Sequence, residues 1–229
     1  KTSLTASFAG LAGNAVLADC DVDAADLHLL LHPVIKEKHE FISGHEAVID
    51  VHRCRGCGVC LDLCRFRAIR MVDGIAQIDP YSCEGCKVCV EFCPAQAIGF
   101  PERFCGEWYE SETGYGAMVH AKLAPAAENS GKLVAQVRKA AKEIAERRGA
   151  GLILVDGPPG IGCPVIASVG GASAVLVVTE PTVSGEHDLG RVLKLAAHFG
   201  IPAMVCVNKW DLNREATARI ENNAAKAGA

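Results

Sequence analysis

Eight of the twelve cysteines in this chain fall into two runs of identical spacing. The first is Cys54-x2-Cys57-x2-Cys60-x3-Cys64, and the second is Cys83-x2-Cys86-x2-Cys89-x3-Cys93, followed by Pro94. Each cysteine of the second run lies 29 residues after its counterpart. The windows CRGCGVCLDLCRFRAI and CEGCKVCVEFCPAQAI share eight identical positions and both end in Ala-Ile. The repeat therefore includes packing residues as well as thiols.

Three thiolates spaced two residues apart on a tight loop can hold three corners of a cubane [4Fe–4S] cluster. In two-cluster ferredoxins the fourth cysteine of each run ligates the other cluster. This rule assigns Cys54, Cys57, Cys60 and Cys93 to one cluster, and Cys83, Cys86, Cys89 and Cys64 to the other. The small Gly56, Gly58 and Gly85 suit backbone wrapped closely around an inorganic core. Structural zinc uses other spacings, and a disulfide framework belongs to a secreted setting, for which no signal peptide is visible. Arg65 stands where the second run has Pro94, a departure that bears on cluster geometry or potential more than on occupancy.

The chain has 229 residues, half of them apolar, enough to bury a core of one or two domains. A formal net charge of −4 with no basic tail gives no nucleic-acid footprint. No apolar run reaches the ~20 residues of a membrane span. Many cysteines without a signal peptide point to a reducing, cytoplasmic location. Cys20, Cys105, Cys163 and Cys206 are expected to be small buried hydrophobes.

Leu4, Phe8 and Leu11 recur at helical spacing. Ala15–Ala18 then reads as a short buried strand that delivers Asp19 and Asp21. Residues 32–47 are rich in His, Lys and Glu and read as a linking or edge segment, with His32, His39 and His45 solvated. An iron–sulfur module is expected over 48–101, with a small hairpin around Asp73-Gly74. A second hairpin is expected between Trp108 and Leu123.

A helix follows with Leu133, Val137, Ala141 and Ile144 on one face, ended by Gly149. Leu152–Val155, Ala174–Val178 and Ala203–Val207 are continuous apolar runs of the kind buried on both faces of a parallel sheet. A helix over about 186–199 separates the last two. Alternating strands and helices give an α/β domain over 1–47 and 102–229, interrupted by the small α+β module.

Ligands of such sheets sit beyond the carboxyl ends of the strands. Asp19, Asp21, Asp156, Thr179-Glu180-Pro181 and Asn208 stand there. Acids that manage a metal and a water, with an amide that can read a base edge, suit a Mg–nucleotide site. Asp156 runs into Gly157-Pro158-Pro159-Gly160, a turn whose glycine can swing.

Lys1-Thr2-Ser3, Asp19-Cys20-Asp21-Val22-Asp23, Asp156–Gly160 and Asn208-Lys209 together resemble the MinD/Mrp/ParA group of P-loop ATPases, in particular the subgroup with an inserted two-cluster ferredoxin domain of bacterial type. The resemblance implies a parallel-sheet P-loop NTPase fold and an ATP-dependent homodimer. By position it implies that Lys1 reaches the phosphates, Thr2 and Asp156 serve Mg²⁺, Asp21 orients the attacking water, Gly160 belongs to the switch and Asn208 contacts adenine. Lys1 and Asp21 would be the catalytic pair. The family's Gly-rich loop, a second lysine in it and the preceding strand are not in this sequence, nor are the final strand and helix. The chain as written is therefore expected to be truncated at both ends and to bind nucleotide poorly, with ATPase activity residing in a longer parent.

Two functions follow as expectations. One is an ATPase coupling nucleotide state to electron transfer through two clusters towards a redox partner protein. The other is an ATP-switched cluster carrier or an assembly and positioning protein. A cobyrinate-type amide-forming enzyme ranks behind both, since no glutaminase or second nucleophile motif is visible.

Overall fold

A computed structural model describes residues 1–125 and 127–229. In chain order the elements begin with α1 (Thr2–Ala12), β1 (Ala15–Asp19), α2 (Leu27–Leu31) and β2 (Val34–His45). Next come β3 (Val48–Ile49), α3 (Val59–Leu63), β4 (Ile69–Val72), β5 (Ile75–Ile78), α4 (Val88–Glu91) and β6 (Ile98–Gly99). The chain continues through β7 (Glu102–Thr113), β8 (Gly116–Leu123), α5 (Ser130–Arg148), β9 (Leu152–Asp156) and α6 (Cys163–Val169). It ends with β10 (Val175–Thr179), α7 (Val183–His198), β11 (Ala203–Val207) and α8 (Arg214–Lys226). Two compact units result, one of Lys1–His39, Trp108–Leu123 and Ser130–Ala229, the other of Glu40–Glu107 and Ala124–Asn129. The inserted unit is thus wider than the 48–101 of the cysteine module.

The five-stranded sheet has the strand order β2-β7-β8-β1-β9, with β1 parallel to both β8 and β9. All five residues of β1 are buried, as a strand covered on both faces requires. Ala9 of α1 and Leu27 and Leu31 of α2 close over Ala15 and Leu17. The fully buried Leu17 alone contributes roughly 1.5–3 kcal/mol by removal from water. α5 packs against β1 and β8, burying Leu133, Val134, Val137, Ala141 and Ile144. That face combines i+3, i+4 and i+7 spacings.

β10 and β11 pair in parallel with each other in a separate two-stranded sheet. They do not extend a single sheet with β9. Their inner residues Val177, Ala203 and Val205 pack on Leu189 and Leu193 of α7 and Ile220 of α8. The Thr182 hydroxyl caps α7 by accepting from the Gly185 N–H at 3.0 Å.

Several local expectations are corrected. The face that α1 buries is Ala9, with Ala6 and Ala12 beside it, while Leu11 is 82% exposed. Small side chains let the helix approach the sheet closely. α8 has no strong apolar stripe in sequence, because Ala216, Thr217 and Ala224 share its buried face with Ile220. Cys20 and Cys105 are buried, but Cys163 is exposed at the start of α6. His39 is half-buried and stacks on Trp108 at 4.0 Å between ring centroids, so it is not simply solvated.

In the second unit β3 pairs antiparallel with β6, Ile49 opposite Ile98. β4 and β5 form a hairpin with Val72 opposite Ile75. Its two turn residues, Asp73 and Gly74, both have positive φ (49° and 76°), the requirement of a two-residue type I′ connection.

Candidate cluster and nucleotide sites

The inserted unit holds two cysteine-lined cavities. Cys54, Cys57, Cys60 and Cys93 line one, with Ala76 and Ile98. Cys83, Cys86, Cys89 and Cys64 line the other, with Ile69 and Ile78. Each cavity therefore takes three sulfurs from one run and the fourth from the other. Sequence spacing groups the residues this way because α3 and α4 carry the last cysteine of each run across to the neighbouring cavity.

Two glycines set the loops around these cavities. A Cβ on Gly56 (φ 65°) would lie 2.1 Å from the Gly74 carbonyl oxygen, and one on Gly85 (φ 60°) would lie 2.3 Å from that of His45. Crowding and burial push the Cys89 thiol up to about 11, burial being the larger cause and Cys83 and Cys86 the next. Burial likewise raises Cys60. Thiols held this way ionise readily only against a compensating cation. The Ala97 N–H donates to Cys93 Sγ at 3.3 Å, the kind of backbone contact that tunes sulfur ligands. Four soft donors, apolar walls and glycine-tight loops fit an iron–sulfur cluster in each cavity.

In the first unit the carboxyl ends of β1 and β9 lie side by side, Asp19 opposite Asp156. Asp156 is 2% exposed. Its Oδ1 accepts from the Thr5 hydroxyl at 3.2 Å, and its Oδ2 is buried without a hydrogen-bond partner. Asp19 is fully buried and accepts from the N–H groups of Asp21 (3.3 Å) and Leu27 (3.2 Å). Burial, then the charge of Asp156, pushes its carboxyl up to about 7. Asp21 is also raised, by burial first, against the opposing effect of Lys1.

Lys1 reaches into this group. Its Nζ donates to the Gly157 carbonyl oxygen at 2.8 Å and stands 3.8 Å from Asp21 Oδ2. Lys1 also stands at the N-cap of α1, whose N-terminal end carries the positive end of the helix dipole. Of the residues expected at a nucleotide site, Lys1, Asp21 and Asp156 are gathered around the Asp156-Gly157 turn. Thr2 opens α1 beside Lys1, and Gly160, at φ 86°, lies in the exposed loop after β9.

Asn208 lies at the end of β11, in the other sheet, where its N–H donates to the Thr179 carbonyl oxygen at 2.8 Å. Beside it Lys209 pairs with Glu180 at 2.7 Å. That hydrogen bond is the main cause holding the Glu180 carboxyl below its ordinary value, with Asn208 contributing. Sequence reading assigned no role to Thr5, although its hydroxyl orients Asp156. A threonine inside a helix carries no local signal of a partner 151 positions away.

A second arrangement was not readable from spacing. Ligand atoms of Glu37, His39 and Glu110 lie within 4.8 Å of one another, on the adjacent strands β2 and β7. The Arg147 guanidinium holds the Glu110 carboxylate at 3.1 Å.

The 4Fe-4S dicluster domain family matches residues 53–97, which span both cysteine runs. Two solved structures align with 96% of the chain at 16% identity. The cell division ATPase MinD of Pyrococcus furiosus aligns over 72% of its own chain with a TM-score of 0.47. The septum site-determining protein MinD of Pyrococcus horikoshii, complexed with Mg-ADP, aligns over 69% with a TM-score of 0.44. Among curated proteins, MJ0579 of Methanocaldococcus jannaschii is 30% identical over 122 residues, 51% of this chain and 42% of that protein. MJ0578 of the same organism is 33% identical over 217 residues, 93% of this chain and 75% of that protein. With both units inside that alignment, the chain belongs to the family of MJ0578, as a member that carries a 4Fe-4S dicluster domain within an α/β fold.

Proposed function

We propose that the chain belongs to an iron–sulfur ATPase that couples its nucleotide state to electron transfer through two [4Fe–4S] clusters. The observation that carries the reading is the pairing of two four-cysteine cavities with an acidic site whose buried Asp156 Oδ2 lacks a partner. Cys54, Cys57, Cys60 and Cys93 would hold one cluster, and Cys83, Cys86, Cys89 and Cys64 the other. When bound, each supplies a one-electron redox centre whose potential the surrounding charges and N–H groups tune.

At the other site the chain's own residues would serve a magnesium nucleotide. Asp156, oriented by Thr5, would face the metal, with Thr2 opening the helix beside it. Lys1 would exchange the Gly157 carbonyl for phosphate oxygens, releasing the turn that leads to Gly160. Asp21, 3.8 Å from Lys1, would orient the attacking water. Asn208 is the candidate for reading the base. By analogy with this class of site, the nucleotide-bound state would be a homodimer and the electron would pass to a redox partner protein.

A redox titration of the reconstituted protein, with its Gly-rich loop restored, with and without MgATP tests the coupling. A shift of tens of millivolts is expected, where about 59 mV is a tenfold change for one electron. Unchanged potentials and unchanged electron-transfer rates, with hydrolysis intact, would remove it.

Cys57 and Cys86 are exposed, and this favours a second reading in which the clusters are cargo handed to an acceptor. Rapid transfer of iron and sulfide to an apo-ferredoxin, accelerated by ATP, would establish that alternative.

A further inference from the structure

The two cysteine repeats have nearly the same backbone but opposite surroundings. Arg67 and Gln96 occupy matched positions with the same left-handed conformation (φ 55° and 48°). Gly56 and Gly85 match in the same way (φ 65° and 60°). The second repeat is therefore an internal control for what the cluster loops require structurally. Residues 53–70 hold five arginines against one acid, Asp62, whereas the matched residues 82–99 hold Glu84, Glu91 and Lys87. Opposite Arg53, Arg55, Arg65 and Arg67 stand Ser82, Glu84, Pro94 and Gln96. Since the second loop is built without them, these arginines are not demanded by the loop geometry.

All four are exposed, and among the described residues none takes part in a salt bridge. Four exposed guanidinium groups in a chain of net charge −4 make a local field opposite in sign to the whole. Between them α3 buries no residue. Leu61 and Phe66 are 39% and 47% exposed. Apolar side chains flanked by unpaired arginines have the composition of an interface, with an apolar centre and a charged rim. Arg55 lines the same cavity as the exposed Cys57, so the charge sits where an electron would enter.

We propose that the outer surface of the first repeat, with Arg53, Arg55, Arg65 and Arg67 around Leu61 and Phe66, docks a small acidic one-electron carrier protein. This rests on the electron-transfer reading above and names its partner class. One electron leaves the reduced carrier and enters one oxidised cluster, and no proton or atom moves. Charge complementarity of this kind acts mainly on the association rate and is screened by salt. Small contact areas are the norm for such encounters.

The test is calorimetric binding of oxidised plant-type [2Fe–2S] ferredoxin to the oxidised, cluster-reconstituted protein at low and high salt, followed by reduction kinetics. Binding weakened about tenfold by salt is expected, and weakened about tenfold by the fourfold Arg→Gln variant at low salt. The fourfold Arg→Lys variant should retain binding, and Glu84→Gln with Glu91→Gln should leave it unchanged. Salt-insensitive binding, equal affinity of the wild type and the Arg→Gln variant, or preference for single-stranded RNA would overturn the proposal. If the Arg→Gln variant fails to assemble clusters, loss of binding in an intact Arg→Lys variant also overturns it. Reduced methyl viologen separates the two levels. Clusters reduced by viologen but not by ferredoxin defeat the docking face alone. Clusters reduced by neither defeat the electron-transfer reading, while the calorimetry still decides the docking.

Discussion

Thr5 donates its hydroxyl to Asp156 Oδ1 at 3.2 Å, leaving Asp156 Oδ2 buried and without a partner. A buried acceptor left this way is costly unless something binds it. In protein with its Gly-rich phosphate loop restored, Asp156→Asn should therefore leave the fold intact while weakening MgATP binding on the order of 10- to 100-fold. Titration calorimetry of nucleotide with and without Mg²⁺ checks this. A Mg²⁺ effect as large in the variant as in the wild type would assign Asp156 a purely structural role.

The crossed cysteine cavities make a quantitative prediction. Cys93→Ser and Cys64→Ser each sit at the end of one run but line the cavity of the other. Each variant should fall from about eight to about four irons per chain and lose one of two reduced-cluster EPR signals, a different one in each case. Loss of the same signal in both would contradict the crossed assignment.

Two glycines in one loop should behave differently. Both Gly56 and Gly58 have positive φ, but a Cβ on Gly56 meets the Gly74 carbonyl while one on Gly58 meets nothing within 4 Å. The matched position of Gly58 is already occupied by Lys87 at φ 68°. Gly58→Ala should cost about 1 kcal/mol of backbone strain. Gly56→Ala adds a collision with backbone, should cost about 3 kcal/mol or more, and should reduce iron content. Denaturant unfolding and iron analysis of the two reconstituted variants provide the comparison.

His120 gives the pH dependence. It is 7% exposed, shares a hydrogen bond with Ser111 Oγ at 3.0 Å and stacks on Tyr109. Burial first, and then His28, lowers its pKa from 6.5 to about 4. Between those values the unfolded chain binds the proton and the folded chain does not. Stability contributed by neutral His120 is thus present above pH 6.5 and lost as the pH falls towards 4. The loss should be on the order of 2–3 kcal/mol. His120→Gln should flatten this part of the stability–pH curve, read from urea midpoints between pH 7 and 4.5. An unchanged slope would place the titration elsewhere.

Part of the arrangement was legible from local pattern. The buried strand β1 and the helix α5 are strong apolar signals, and Asp73-Gly74 announces its hairpin. The runs of β9, β10 and β11 look equally apolar, yet these strands are not buried on both faces: Leu152, Leu176 and Met204 are 43%, 37% and 54% exposed. α8 was not legible, since an alanine–threonine face has almost no apolar contrast. The separate pairing of β10 with β11 was also hidden, because apolar strands of one length carry no mark of which edge they join.

By itself the sequence determined the donor sets. Thiol identity and the x2-x2-x3 spacing restrict each run to one kind of soft-metal chemistry, whatever the rest of the chain does. Acids following apolar runs likewise had to emerge at the carboxyl ends of strands. Only the tertiary structure decided which groups meet across long stretches of chain. Examples are Lys1 with Gly157, Thr5 with Asp156, and His39 with Trp108 and Glu110. Such meetings depend on strand order, register and helix rotation, which arise from the balance of packing over the whole core. No local stretch encodes them.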